Sequence, residues 1–490
     1  MLIANQAQKP FPLGGVSGDD VHIWNAELAA IDELLRDDEF IDILWSAFKR
    51  ARPNTRRNKG APRMALNRVM RTMTLKHLKN WSYRDTYNEL QRNLDYRAFT
   101  QFFDDKIRSV AALSRNCSFV DAQALREMNE RVRVLARQHR VIKGKVFRQD
   151  TTVTETNIHH PTDSTLMQDG VRVLKRIVEK AEQLVPTLAA MRDRSRAALH
   201  RVLEINRKAR SKRPESKEQM NDAYRSLMCI TRSAVTHAGR VADKLGDGRV
   251  SRHLDELERR TAQARKQDLD TMLPRVEQVL RQTRARINRG ITNSPGKLLS
   301  LFEPETEVIR KGKAHKPAEF GRVVEIVEVE NGFVSDYQIH DGNPDDGSML
   351  IPALERHIER FGKPPRKVAT DRGFFSADNE KKAYALGVKR VSIPGRGKLS
   401  AFRRKLQRTR WFRRLQGWRA GGEGRIGTLK NRYGLDRCMY KGDGAMERWV
   451  GWCVFANNLT VLVRKTAHKS PHRDHATARQ AKGQGHRTAA

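Results

Sequence analysis

The sequence predicts a mixed α/β core, interrupted by a long all-helical insertion and preceded by an all-helical N-terminal domain. Three observations carry this. Runs rich in β-branched residues occur around residue 150 and again over "RVVEIVEVENGFVSDYQIH", residues 322–340. Between them, residues 164 to about 290 show charged helical periodicity and no strand signal. Residues 24–140 also read as helical, with a capping-box pattern at Ser82 and Asp85 in "SYRDTYNEL".

Taken in order, residues 1–23 are expected to be a flexible N-terminus. In the helical domain, "RNKGAPRMALNRVMRTMTLKHLKNW" reads as a basic helix with an apolar stripe through Met64, Leu66, Met70, Met73 and Leu75. A basic helical surface suits DNA reading, and a helical scaffold that only packs on a neighbour fits equally well. Residues 141–157 are expected as the first strand, within a first core segment 141–163. The insertion, residues 164–300, is broken at "KRPES" and "LGDGR" and reads as three or four long helices, hairpin-like or coiled-coil-like, with little core of its own.

The second core segment, residues 301–465, resumes at a hairpin whose Asn331-Gly332 pair matches a type I′ turn. A helix ending at Gly362 follows, then a short strand "RKVATDRG" ending at Asp371. A helix closed by Gly387, the strand "VKRVSIPG" and a helix "GGEGRIGTLKNRYG" closed by Gly434 come next. An amphipathic helix is expected over about 446–463, and residues 466–490 are basic and read as a disordered tail. With the insertion removed, the order strand, hairpin, helix, strand, helix, strand, helix is RNase H-like.

Composition bounds the partners. Lys and Arg total 95 against 57 Asp and Glu, a formal charge of +38 over 490 residues. A chain so basic is attracted to a polyanion, nucleic acid first and an anionic membrane surface second. No apolar window is long enough for a spanning helix, and "MLIANQAQKPFPLGG" lacks the regions of a signal peptide. The cysteines Cys117, Cys229, Cys438 and Cys453 are far apart, which suits a reducing cytoplasm and gives no zinc spacing.

Three carboxylates stand out by position: Asp150 in the first strand, Asp371 at the end of a later strand, and Glu423 at the opening of a late helix. Strand ends of such sheets form the usual crevice for a site. Carboxylates converging there repel one another unless cations bridge them. Hard divalent ions with oxygen ligands, Mg²⁺ or Mn²⁺, are the natural bridge. Two ions about 3.5–4 Å apart activate a water or a 3′-hydroxyl and stabilise the leaving oxygen. Singly, each acid has a plainer reading: Asp150 as an edge-strand residue, Asp371 as a turn former, Glu423 as a charge favoured at a helix start. The polar strand "RQDTTVTETNIHHPTDS" then holds Asp150 at its surface, with Thr151, Thr152 and Thr154 keeping β geometry. His159 and His160 point to opposite faces if extended, which argues against a shared ion. Asp163 or Ser164 is positioned to cap the next helix. Arg419, Glu423 and Lys430 fall on one helical stripe, facing either phosphate and metal or simply one another as ion pairs. Gly422, Gly424 and Gly427 lower helix propensity and suggest a close approach of sheet or DNA.

Several segments together resemble bacterial insertion-sequence transposases of the DDE class, ISNCY-like and related groups. They are "QDTTVTETNIHHPTDSTL", "VATDRGFFS" with a following Asn, Arg-x3-Glu-x6-Lys, "GAPR", "WSYRD", "RKGKAHKPAEFG" and "EGRIGTLKNRYGLDR", spread over most of the chain. The resemblance implies an RNase H-like catalytic core with Asp150, Asp371 and Glu423 as the metal-binding triad and two Mg²⁺ as cofactor. It implies that Arg419 and Lys430 contact phosphate; Arg372 and Arg425, beside the second and third acids, complete the expected DNA-binding set. It also implies double-stranded DNA partners (terminal repeats and target), a homodimer or higher oligomer on paired ends, and a bacterial, nucleoid-associated cytoplasmic location. Related groups carry Tyr where this chain has Gln416. The activity implied is cleavage at element ends and joining of 3′-hydroxyls to target DNA. A nuclease or resolvase without joining, and an inactive DNA-binding relative, are the alternatives.

Overall fold

The computed structural model describes residues 23–53, 64–103, 105–247, 254–292, 296–310, 318–442 and 444–467. The expected flexible N-terminus, the "GAPR" motif, most of "RKGKAHKPAEFG" and nearly all of the basic tail lie outside the described residues. The chain divides into two compact units, residues 1–157 with 308–490, and residues 158–307.

The first unit is built on a seven-stranded mixed sheet. Its strands are β1 (Val146–Thr156), β2 (Glu307–Ile309), β3 (Glu319–Glu328), β4 (Val334–His340), β5 (Lys367–Ala369), β6 (Arg390–Ser392) and β7 (Arg437–Cys438). β3 lies antiparallel between β4 and β1. On its other side β1 pairs in parallel with β5, which pairs in parallel with β6, while β7 joins the far end of β1. β1 is therefore central, which corrects the edge-strand reading of Asp150. It also begins at Val146 rather than at residue 141. The reason is local: the Glu330 carboxylate accepts the N–H groups of Lys143, Gly144 and Lys145 at 3.0, 3.0 and 2.7 Å, so they cannot enter a ladder.

That glutamate opens the hairpin turn. Asn331 (φ 63°) and Gly332 (φ 81°) both take the left-handed conformation that a type I′ turn requires, and Phe333 N–H donates to Glu330 O at 3.2 Å. The Asn458 side chain then pairs with Val334 through both its donor and its acceptor, at 2.8 and 3.0 Å, capping the edge of β4 as another strand would.

A central strand as polar as β1 needs partners for each polar group. Gln149 donates to Glu325 (3.0 Å), Thr151 donates to Asp346 (3.0 Å) and Glu155 pairs with Arg437 (2.6 Å). Glu325 in turn binds His340 and Arg356, each at 2.8 Å, and Arg356 and Arg360 close on Asp336 at 2.6 and 2.7 Å. Hydrogen bonds and ion pairs, more than apolar burial, seat this strand.

The N-terminal helices share one apolar core with β3, β4 and the Ala445–Ala467 helix. Two expectations change there. The Leu66–Leu78 helix is buried along its whole length, cations included, so it presents no basic surface. Arg71 reaches Asp32 at 2.7 Å, and the Lys76 ammonium lies 4.9–5.2 Å from the ring centres of Tyr83, Tyr440 and Trp449. The Ala445–Ala467 helix is buried on nearly every face rather than amphipathic, with Trp449, Trp452 and Phe455 inside.

The second unit is a bundle of four helices, Asp163–Glu182, Ser195–Ala209, Pro214–Gly246 and Glu256–Arg289. It has a core of its own, through Leu174, Val178, Leu227, Leu269, Val276 and Val279, contrary to the expectation of a thin hairpin. Gly170 permits the tightest approach, since a Cβ there would meet Val276 at 2.9 Å. Thr162 caps the first helix, not Asp163 or Ser164. Asp163 is instead buried in the first turn and accepts from Gln282 (3.1 Å) and Arg286 (3.0 Å). His159 stands 3.6 Å from Asp169.

Candidate active site

Asp150 and Arg148 project from the same face of β1, two residues apart, beneath a helix that runs Arg410–Tyr433. This helix is longer than the sequence suggested. Glu423 lies in its middle, which corrects the expectation that Glu423 opens it and removes the helix-start explanation of its charge. Phe412, Leu415 and Leu429 bury the helix on the sheet. Gln416 fixes its height: its amide donates to the Ser392 carbonyl (2.7 Å) and hydroxyl (3.0 Å) at the end of β6 and, at 3.4 Å, to Thr370 O beyond β5. Asp371 sits just after β5 and caps a short 3₁₀ turn, accepting Gly373 N–H at 2.7 Å.

These three elements bring the acids to one guanidinium. Arg419 lies 3.5 Å from Asp150, 3.9 Å from Asp371 and 3.4 Å from Glu423. Side-chain exposure rises from 22 % at Asp150 to 35 % at Asp371 and 71 % at Glu423, so the cluster opens outward. Three carboxylates share one cation at loose distances.

The sequence reading missed a fourth carboxylate. Asp346, at the start of the Asp346–Phe361 helix, accepts from Thr151, and a Cβ on Gly373 would meet its Oδ2 at 2.6 Å and Asp371 Oδ1 at 2.8 Å. The acidic run "NPDDGS" was its only signal, and it reads equally well as a helix cap.

The other expected residues separate. Arg372 is exposed beside Asp371. Lys430 turns inward, donating to Val153 O of β1 at 2.9 Å and lying 3.6 Å from Asp436. Arg425 is half-buried, donates to Asn457 at 3.4 Å, and packs where a Cβ on Gly332 would clash with it. The glycines split as well. Gly422 faces Arg148, whose Nε is 3.2 Å from where a Cβ would stand, whereas Gly424 and Gly427 face open space. Close approach to the sheet thus accounts for Gly422 alone.

An all-carboxylate donor set is chemically suited to a hard divalent cation. As placed, Arg419 stands between the acids, and among the described residues no three Asp, Glu, His or Cys side chains close around a single point. None of the described helices is long and apolar enough to cross a membrane.

Comparison with known families agrees with this geometry. The Transposase DDE domain matches residues 296–459, which contain Asp371, Arg419 and Glu423, and the Transposase domain (DUF772) matches residues 19–118. Asp150 and the four-helix unit up to residue 295 lie between the two matches. No curated protein and no solved structure matches. The two transposase domains, in this order on one chain, make it a member of the insertion-sequence DDE transposases.

Proposed function

We propose that Asp150, Asp371 and Glu423 are the catalytic carboxylates of an RNase H-like core that cuts phosphodiesters at element ends and joins the 3′-hydroxyls to target DNA. DDE transposases act on DNA and depend on divalent metal. The observation that carries the reading is the convergence of three acids from β1, the exit of β5 and the Arg410–Tyr433 helix on one guanidinium. The strand sequence β4-β3-β1-β5-β6, antiparallel on one side of β1 and parallel on the other, supports it.

In this reading the three acids supply oxygen ligands for two Mg²⁺ ions. Such a pair activates water or a 3′-hydroxyl and stabilises the leaving oxygen. No protein nucleophile is required. Arg419 exchanges its carboxylate contacts for a DNA phosphate, and exposed Arg372 adds a second contact there. Asp346 orients β1 through Thr151. Lys430 and Arg425, both turned inward, hold the helix on the sheet. Paired ends call for at least two copies of the chain.

The test uses the purified chain, a labelled duplex carrying one element end, a supercoiled target and Mg²⁺. The reading predicts a nick at the end followed by a joined product. Nicking without joining contradicts the transposase reading and leaves a nuclease. No nicking in Mg²⁺ or Mn²⁺ contradicts both.

A further inference from the structure

The first half of the Arg410–Tyr433 helix forms one wall of a cavity that the chemistry above does not use. Its volume is about 520 Å³, and the opposite wall is the entry ends of β1, β5 and β6. Lys367, Arg390, Arg410 and Arg414 line it with two indoles, Trp411 and Trp418, and no carboxylate lines it. All four cations are exposed, both indoles are half-buried, and none of the four cations has an ion-pair partner among the described residues. The indoles are held in place. Buried Arg148 stacks on Trp418 at 4.8 Å, and Arg390 lies over Trp411 at 5.6 Å.

Four uncompensated cations in a concave surface select a polyanion. Two fixed indole faces add something a duplex backbone cannot use, because a paired base hides its faces in the stack. They suit a single base taken out of the helix, whose π-face stacks on an aromatic ring while its phosphates meet the cations. The volume lies within the range of small-ligand sites, about 300–1,000 Å³. From Arg414 to Glu423 the helix rises about 14 Å, at 1.5 Å per residue. That spans about four nucleotides at 3.4 Å each.

We propose that this cavity is a nucleotide subsite. It receives one extruded base of the bound DNA, within about four nucleotides of the phosphate at the acids. The proposal rests on the reading that the chain acts on DNA, but its readout is independent of cleavage.

The experiment measures binding of the full chain, without divalent metal, to element-end duplexes. Each duplex carries one unpaired nucleotide at successive positions from one to six beyond the cleaved phosphate, and a fully paired duplex is the reference. An unpaired base is cheaper to extrude. The chain should bind one such duplex about ten-fold tighter than the paired one. Trp411→Ala should erase that preference and leave paired-duplex affinity unchanged. Arg390→Ala with Arg414→Ala should weaken both alike. Because Trp411→Ala risks the local fold, a second measurement uses the wild-type chain: 5-iodouracil at the favoured position should photocrosslink to Trp411 or Trp418. No preference at any position, a preference that survives Trp411→Ala in a folded chain, or crosslinks confined to other residues overturns the proposal. Failure of cleavage with the preference intact would count against the catalytic reading alone.

Discussion

Two guanidinium groups meet carboxylates under the same helix, and they do so differently. Arg148 pairs one-to-one with Glu328, donates to the Trp418 carbonyl and stacks on the Trp418 ring. Both partners are nearly sealed, with side-chain exposures of 9 % and 5 %. Burial pushes the Glu328 carboxyl up, and Arg148 opposes that. Two residues along the strand, Arg419 faces three carboxylates, none closer than 3.4 Å, in a cluster open to one side. The first arrangement is matched in charge and hydrogen bonds, as a structural ion pair must be. The second leaves excess negative charge that the protein does not neutralise. The contrast separates what holds the fold from what is kept for a ligand.

The largest expected effect breaks the contrast if it fails. Glu328→Gln leaves Arg148 buried without a counter-charge and should cost about 3–5 kcal/mol. Asp371→Asn relieves like-charge repulsion and should leave stability unchanged or slightly higher. Chemical unfolding of the two variants measures this; equal losses would mean that both clusters are structural.

Lys76 sharpens the contrast from a third side, as a buried cation among rings rather than carboxylates. Burial lowers its pKa to about 8 from 10.5. The folded pKa is depressed, so the penalty for the charged form is complete below pH about 8. It is relieved as pH rises from about 8 to 10.5, where the unfolded chain still binds the proton and the folded chain does not. The penalty is about 3 kcal/mol before the cation–π contacts offset part of it. Lys76→Met should therefore be more stable than wild type at pH 7, and the gap should shrink across that window. A pH-independent difference would contradict this.

Divalent metal should act on one cluster only. At a hundred times its dissociation constant, Mg²⁺ or Mn²⁺ should stabilise the wild-type chain by about 2.7 kcal/mol. Asp150→Asn should lose that gain in a thermal melt. The same gain in Asp150→Asn would place the ion elsewhere.

The smallest effect concerns the helix over both clusters. Gly422→Ala meets Arg148 and should cost about 1 kcal/mol, whereas Gly424→Ala and Gly427→Ala, in open space, should gain up to about 1 kcal/mol. Equal effects at the three glycines would mean that the helix is not pressed on Arg148.

The same contrast explains what was legible in the sequence. The hairpin was, because Asn331-Gly332 encodes its own backbone geometry. Asp150 and Asp371 were, because each ends or interrupts a β-rich run. The start of the Arg410–Tyr433 helix was not: "RRLQGWRAGGEG" reads as a breaker, and contacts of Phe412, Leu415 and Gln416 with distant strands override that. Nor were the buried cations. Arg68, Arg71 and Lys76 look solvent-facing until Asp105, Asp32 and the rings of Tyr440 and Trp449 arrive from elsewhere in the chain. The stripe of Arg419, Glu423 and Lys430 was correct as spacing, but spacing does not reveal that Lys430 bonds inward to Val153.

The central claim is that the three acids around Arg419 are the catalytic set, and single-residue neutralisation tests it most directly. Asp150→Asn, Asp371→Asn and Glu423→Gln are compared with wild type for Mg²⁺-dependent nicking of an element-end duplex, alongside binding of the same duplex. The account predicts that nicking disappears in all three while binding persists, because phosphate contacts come from the cations. Near-normal nicking by any one variant would remove that residue from the site and contradict the account.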